Sequence, residues 1–483
     1  MSKQVYNSSM ISATPVVPDR FENLERKAPD ELGTIVVPVA EGLSLVDNLY
    51  ARMRAVGRGA FLVLRGESGA GKSTFLHTLS FFRDKVRTVS VAGDQDVRGY
   101  FRAAPAQGDG LIVHVLEERE ALKSYTDREL EEWLHAINGY IRSSRGENAL
   151  VVWPCNTDDL RDRIIDLAQR IGAETLLGTG DAAVMFTGPS KDQYIGIAER
   201  TLSTLNQGSS LSDMGLTHDD ASACAEASTT IGGFMTRLSE IVLDRSQQVQ
   251  KLVEKEQCRL WIVVAAGNDP VGDVNGLTRG QFAAIDTERL MTSTGANIVA
   301  DLKKYPDKIG LLGNVLDARI LHLPVLAASE IMRAFGSDSL RIRMKNSGLQ
   351  VAGKKADAIA RLQSTELASI FRAGGLGTLT RGKKLGSSSV EAFTKLAEIA
   401  STNDVLLNRA LGEALVAAGL IKSYEVEKDF GSGLTRTTDI LAQTETTPIR
   451  IEVMWRRKSG RADIANYTLT KLANYGKAIG YLD

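Results

Sequence analysis

Cysteine is scarce in this chain. Its three residues in 483, Cys155, Cys224 and Cys258, stand far apart, which excludes a disulfide framework and supplies no zinc-ligand spacing. Long hydrophobic runs are also missing. None reaches the roughly 18 residues that a membrane helix needs, so no membrane partner is expected. The N-terminus lacks a basic stretch followed by an apolar core, which argues against a secretion signal and for a cytoplasmic setting. Neither charge sign is in excess: 58 Lys and Arg oppose 59 Asp and Glu. Such balance excludes wholesale coating of nucleic acid and leaves local patches open. The five histidines, His77, His114, His135, His218 and His322, show no metal spacing. His114 alternates along a buried run and reads as a satisfied core residue.

What is present is an ordinary globular composition, 43% apolar and 24% charged, at a length that suggests several domains. The most informative segment is Gly66-Glu67-Ser68-Gly69-Ala70-Gly71-Lys72-Ser73, followed by Thr74. It fits the phosphate-binding pattern G-x-x-x-x-G-K-[ST] and lies between an apolar run, Ala60–Leu64, and a helix-forming stretch. Glycines let successive backbone N–H groups turn inward on phosphates, and the helix start adds its positive end. Lys72 is expected to reach the β- and γ-phosphates of ATP, with the Ser73 hydroxyl on Mg²⁺.

The chain divides by pattern into a polar arm (1–35), a P-loop core (36–190), a helical lid (191–245) and a mixed middle module (246–336). A basic segment (337–386) and a final α/β portion (387–483) follow. In the core, apolar runs at Val86–Val91, Leu111–Leu116, Ala149–Trp153 and Ala182–Phe186 alternate with helical patterns, so a parallel α/β sheet is expected. The lid reads as helices over Lys191–Leu205 and His218–Leu243, and Arg259–Ala265 reads as a further strand.

A P-loop ATPase needs an acid at a neighbouring strand end and a group that orients the attacking water. Leu111–Leu116 ends in Glu117-Glu118, and the next strand ends near Asn156. With its phosphate loop, acidic strand end, polar first-sensor position and helical lid, residues 40–245 resemble the AAA+ family. The resemblance implies catalytic roles for Glu117, Glu118 and Asn156, with Glu117 on Mg²⁺. It also implies a homo-oligomer, a lid arginine (Arg237 is the candidate) and an arginine from a neighbouring subunit (Arg279 or Arg289). Glu117 stands where the family usually has Asp, and both acids also suit plain exposed charges. A metabolite kinase shares the loop but is usually half this length, and no ABC-type LSGGQ signature is present.

From Arg341 to Lys384 ten basic residues face three acids, Asp338, Asp357 and Glu366, in or beside the stretch. Leu340–Leu349 and Gly353–Leu362 read as two short helices and resemble the SAP motif, which binds DNA. Arg343, Lys345, Lys354, Lys355 and Arg361 are the implied nucleic-acid contacts. Lysines at a helix start oppose its dipole, and an anionic partner relieves that placement. An ordinary solvated hairpin is the alternative.

The last hundred residues resemble the restriction-endonuclease-like PD-(D/E)XK group: helix, three strands, helix. Asp439 and Glu452 match the two acids that hold Mg²⁺, and Glu413 the helical acidic position. Met454 stands where the family has lysine, so Arg456 or Lys458 is the expected substitute, although arginine is a poor proton-transfer group. An inactive DNA-binding relic or an α/β cap for assembly also fits. The resulting expectation is an ATP-dependent, DNA-associated protein whose ATP turnover controls assembly on DNA and its binding or cleavage. Restriction, anti-phage defence or a mobile element is the setting it suits. The alternative is an ATP-locked oligomeric scaffold or sensor that recruits a separate effector protein.

Overall fold

Five apolar runs between residues 60 and 186 become the strands of one parallel sheet. They are β1 (Ala60–Arg65), β2 (Val86–Val91), β3 (Leu111–Leu116), β4 (Ala149–Cys155) and β5 (Ala183–Met185), in the order β2-β3-β4-β1-β5. The computed structural model describes residues 15–18, 21–104, 109–121, 125–172, 174–177, 183–253, 258–295, 300, 302–373, 375, 385–430 and 434–482. Residues 1–14 of the expected arm, Ala182, and Arg381, Lys383 and Lys384 of the basic stretch lie outside the described residues.

The runs are continuous rather than alternating because both faces of a parallel sheet are covered. Phe61 and Val63 of β1 join one cluster with Trp153, Leu134 and Ile164. Leu62 and Leu64 join the opposite one with Val46, Phe75 and Val152. Each such side chain contributes about 1.5–3 kcal/mol on burial. The helix Asp127–Ile141 opens on a capping box, Thr126 with Glu129, which satisfies amides that would otherwise have no partner.

The expected lid helix His218–Leu243 is broken into His218–Glu226 and Ile231–Val253. The break falls at Ser228-Thr229-Thr230, residues that compete with helical hydrogen bonding through their own hydroxyls. The Gly233 amide donates to Thr230 Oγ1 at 3.1 Å, so Thr230 starts the second helix.

Contacts divide the chain into two units: Val17–Leu205 with Asp219–Glu240, and Met1–Val16, Asn206–His218 with Ile241–Asp483. The second unit holds a seven-stranded mixed sheet. Its strands are β6 (Arg259–Ala266), β7 (Thr278–Arg279), β8 (Ala284–Ile285), β9 (Arg319–His322), β10 (Ser423–Phe430), β11 (Leu434–Gln443) and β12 (Ile449–Arg456). Their order is β10-β11-β12-β6-β9-β8-β7. Residues 246–336 and 387–483, expected as separate modules, therefore supply strands to one sheet. Parallel pairing of β6 with β12 from Ile449↔Arg259 to Arg456↔Ala266 joins them, a long-range pairing that local periodicity does not carry.

The basic segment packs on one face of this sheet. Leu340 and Met344 of the helix Asp338–Asn346, and Leu362 of Lys355–Gln363, enter the core with Val263, Ile331 and Leu411. On the opposite face the helix Arg461–Ala478 buries Ile464, Leu469 and Leu472 against Ile262, Val264 and Met454.

Arg279 is a structural residue of this unit. It pairs with Asp213 at 3.2 Å, the two side chains being 7% and 1% exposed, and it donates to Ile285 O, Asn206 O and Asn314 Oδ1. Fully engaged inside its own subunit, it is not available as an arginine for a neighbour. Arg289, which is 55% exposed beside Asp286, remains accessible. Arg279→Met is expected to cost about 3–5 kcal/mol by leaving Asp213 buried and uncompensated, and Arg289→Met under about 1 kcal/mol. Urea unfolding of the two variants checks this, and equal losses would contradict it.

Candidate functional site

In the first unit the phosphate loop turns between β1 and the helix Lys72–His77, with Gly69 and Gly71 at φ +83° and +92°. Side chains with a Cβ rarely adopt that conformation. The Lys72 ammonium is buried. It donates to Gly66 O at 2.6 Å, Glu67 O at 3.0 Å and Asn156 Oδ1 at 2.7 Å. The end of β4 thus meets the loop lysine, because β4 is the direct neighbour of β1. Burial, against neutral oxygens only, pushes the Lys72 ammonium down to about 8, with the Glu120 charge opposing the shift. Ser73 and Thr74 are half-buried in the first turn of the helix, and Glu67 and Ser68 are exposed on the loop beside buried Ala70.

The acids after β3 are dispersed. Glu117 accepts from His77 Nε2 at 2.5 Å and Ser90 Oγ at 3.0 Å, and the His77 bond, opposed by burial, holds its carboxyl below the usual range. Glu118 is exposed at φ +58°. Glu120, which the sequence reading passed over, is the acid of this run whose charge acts on Lys72, alongside Glu67 of the loop. Its backbone carbonyl accepts from Asn156 N at 2.7 Å, and its carboxylate accepts from Glu118 N at 3.0 Å. The signal for it was the length of the acidic run, Glu117 to Glu120, interrupted by Arg119. That arginine is buried and donates to the carbonyls of Val91, Ala92, Gly93 and Gln95. His114 is a core residue as expected, bonded between the hydroxyls of Tyr100 and Tyr140.

The lid helix starts against the loop. The Gly232 amide donates to Gly69 O at 2.9 Å, and a Cβ at position 232 would come 2.9 Å from Gly69 Cα. Arg237, the expected lid arginine, is exposed further along that helix.

In the second unit the structure brings Asp439 and Glu452 together on β11 and β12. β11 pairs with β12 from Ile440↔Ile451 onward. At Asp439 the side chain takes over, accepting the Val453 amide on Oδ2 at 2.7 Å. Glu452, 1% exposed, accepts from Lys471 Nζ on Oε2 and from Tyr475 OH on Oε1 at 2.9 Å. Lys471 comes from the C-terminal helix and stands where a lysine at 454 was expected. Met454 fills the core beside it, and Arg456 and Lys458 point outward as exposed residues. Tyr467, Lys471 and Tyr475 are spaced by four, one helical face, and that spacing was the readable signal.

Burial raises the Asp439 carboxyl to about 7, with the Glu452 charge adding to it and Lys471 opposing. Burial would lower Lys471, but the charges of Glu452 and Asp439 outweigh it and hold the ammonium protonated. Asp404, at the start of the helix Val405–Ala417, adds its charge to both Asp439 and Lys471. Glu413, the expected helical acid, is exposed and accepts from Tyr424 OH at 2.9 Å. Nine residues is roughly two and a half helical turns, so Asp404 and Glu413 lie on opposite faces. Arg343, Lys345, Lys354, Lys355 and Arg361 are all exposed on the basic hairpin; Lys355 lies over the Phe335 ring at 5.4 Å.

No family model matches the sequence, and no curated protein matches it. Among solved structures, the Aeropyrum pernix Orc1 protein in complex with DNA is similar at a TM-score of 0.30 and 13% identity, covering 93% of this chain and 96% of that one. A likeness of that size carries no weight for function. The two sites have to be read from their own chemistry.

Among the described residues no group of three or more His, Cys, Asp or Glu is placed to hold a metal ion. By donor chemistry Asp439 and Glu452 nonetheless suit Mg²⁺, which favours hard oxygen donors and takes one or two carboxylates, and Glu452 would share with the ion an oxygen now held by Lys471 or Tyr475. At the loop, Ser73 is the hydroxyl donor that fits, whereas Glu117 is committed to His77.

Two pH dependences follow. Bound phosphates raise Lys72, so ATP affinity is expected to be flat below pH about 8 and to fall by up to about tenfold per unit above it. Calorimetry from neutral to alkaline pH checks this, and an unchanged affinity would contradict it. Asp439 lies above its ordinary 3.8, so between about 4 and about 7 the native state keeps a proton that the unfolded chain has lost. Stability falls as pH rises through that window. In a chelating buffer Asp439→Asn should therefore melt higher than the parent above pH 7 and alongside it near pH 4.

Proposed function

We propose that this chain is an ATP-dependent, DNA-associated protein in which a P-loop ATPase of AAA+ build governs a Mg²⁺-dependent phosphodiester-cleaving centre of the PD-(D/E)XK kind. The observation that carries the reading is the grouping of Asp439, Glu452 and Lys471 at one point of the second sheet. Two hard-oxygen donors and a half-buried cation are the side chains that phosphodiester hydrolysis requires, and a structural core has no need to group them around a fully buried Glu452. Asp439 and Glu452 would hold Mg²⁺, which supplies activation of water and polarisation of the phosphodiester. Lys471, kept protonated by Glu452, offsets charge developing on the phosphate, and Tyr475 orients Glu452. The exposed cations of the hairpin, Arg343, Lys345, Lys354, Lys355 and Arg361, suit a DNA backbone.

For the ATPase, support comes from the strand order. It sets β4 and Asn156 between the phosphate-loop strand and the acidic strand β3, the placement the AAA+ resemblance implies for a first sensor. Lys72 would bind the phosphates of ATP, Ser73 the accompanying Mg²⁺, and Asn156 or Glu120 the attacking water. A homo-oligomer belongs to this reading, with Arg289 as the arginine offered to a neighbour. Restriction, anti-phage defence or a mobile element is the setting it suits.

A second reading draws on Glu117. Its engagement by His77 and Ser90 takes one acid away from the loop, which favours slow turnover and an ATP-locked scaffold that recruits a separate effector. DNA-stimulated hydrolysis at a fast rate would count against that version.

With supercoiled plasmid, ATP and Mg²⁺, the parent protein is expected to cut, Glu452→Gln to be inactive, and Lys471→Met to be slower by about 100-fold. Lys72→Ala should lose ATP binding and leave the carboxylate site folded. Intact plasmid with the parent, or full-rate cutting by Lys471→Met, would remove the nuclease reading.

A further inference from the structure

We propose that the end of β12, the turn after it and the start of the next helix, carrying Arg456, Arg457, Lys458 and Arg461, form a docking surface for the phosphate backbone of DNA, serving the Asp439–Glu452 site. This rests on the DNA-associated reading above and adds a contact surface separate from the basic hairpin. β12 is buried from Ile449 to Trp455 and then changes abruptly. Four of the next six residues are cationic and none is acidic, and all four cations are exposed.

The turn is held rigidly. Asn268 Nδ2 donates to Ser459 O at 2.7 Å, the Ser459 amide donates back to Asn268 Oδ1 at 2.9 Å, and the Gly267 amide donates to Arg456 O at 3.2 Å. A pinned turn displays its charges in one geometry, so binding to it costs little ordering of the chain. The local counter-charges are weak. Arg457 meets Glu398 at 3.2 Å with the two side chains 65% and 47% exposed, and Arg461 meets Asp273 at 3.8 Å. Among the described residues Arg456 and Lys458 have no acidic partner. Arg461 also stands at the first position of the helix Arg461–Ala478, where the helix dipole disfavours a cation and favours an anion. Glu398, Asp273 and the first-turn Asp463 offset these four cations only in part, so net positive charge stays in the open for a polyanion to lie across.

The turn is also tied to the chemistry. Glu452 and Arg456 lie on the same strand, and Tyr467 feels the charges of Asp439, Glu452 and Arg456 together. A repeating phosphate chain fits four neighbouring cations at and after the end of the strand that carries Glu452 better than any single small anion does.

The test uses the full chain in chelator, so that cleavage plays no part, and a labelled DNA duplex of about 30 base pairs read by anisotropy over a salt series. Arg456→Ala/Lys458→Ala is expected to bind about tenfold more weakly and to lower the slope of log affinity against log salt by about 2. Arg456→Lys/Lys458→Arg should keep both. If the parent binds DNA and the double alanine variant matches it in affinity and slope, the surface is wrong while the function proposed above stands. If the parent itself fails to bind DNA, that function falls first. Equal loss in the charge-keeping variant, or tighter binding of an RNA of the same length, would also overturn the assignment.

Discussion

The parallel pairing of β12 with β6 is the constraint on which the second unit depends. A parallel ladder cannot be closed by a hairpin, so the chain leaves β6 at Ala266 and returns only at Ile449. The chain between adds five further strands to the sheet and supplies helices that cover its faces. The helices Val325–Phe335 to Val405–Ala417 cover one face, and Arg461–Ala478 closes the other. That arrangement puts β12 in the sheet interior and Glu452 out of contact with water. An ionised carboxylate there costs several kcal/mol unless it is matched. The covering helix matches it with Lys471 and Tyr475, so the element that buries the acid also compensates it.

Lys72 and Lys471 show how partners decide the outcome of burial. Both are withdrawn from solvent. Lys72 faces two loop carbonyls and the Asn156 amide, neutral dipoles that replace hydration incompletely, and its proton is loosened. Lys471 faces the Glu452 carboxylate directly, with Asp439 near it, and its proton is tightened. The first is suited to a ligand that brings its own negative charge, since a triphosphate restores what burial removed. The second already has its counter-ion and serves as a fixed cation. Desolvation of similar groups therefore yields an adaptable site in one unit and a preset one in the other.

Legibility in the sequence followed the range of the interactions. The phosphate loop and the strands β1 to β6 were readable because each is encoded in consecutive residues: a glycine pattern, an apolar run, a cap. The strands carrying Asp439 and Glu452 were readable for the same reason. The union of residues 246–336 with 387–483 was not, because β6 and β12 are nearly two hundred residues apart and β7 to β9 are too short to show a period. Lys471 was legible as a residue of the C-terminal helix with Tyr475, but its pairing with Glu452 was not, because that contact joins a helix to a strand across the sheet face. Asp404 was hidden behind Glu413 because both are acids near one helix, and only the helical phase tells which face meets the sheet. Glu120 was missed because the first acids after a strand draw attention, while the turn at Glu118, at φ +58°, sends the chain back so that the third is the one whose field reaches Lys72.

The end of the β11–β12 ladder is where structure turns into chemistry. A strand amide at Val453 needs an acceptor, and the Asp439 side chain provides it in place of a backbone carbonyl, which anchors the carboxyl in position. Its geometry is thereby fixed while its charge stays labile: the amide favours the anion, but burial and the neighbouring Glu452 oppose it more strongly. A cation between the two acids removes that opposition, whereas a phosphate arriving alone would add to it. On the proposed reading, the same two carboxylates would repel a DNA backbone, and another part of the surface would have to offset the repulsion. Of the exposed cations that follow Trp455, Arg456 ends the strand of Glu452, Arg457 and Lys458 lie in the turn after it, and Arg461 opens the next helix. On the proposed reading, a site built on buried negative charge receives a polyanion only with positive charge held in the open beside it, and these cations would supply that charge.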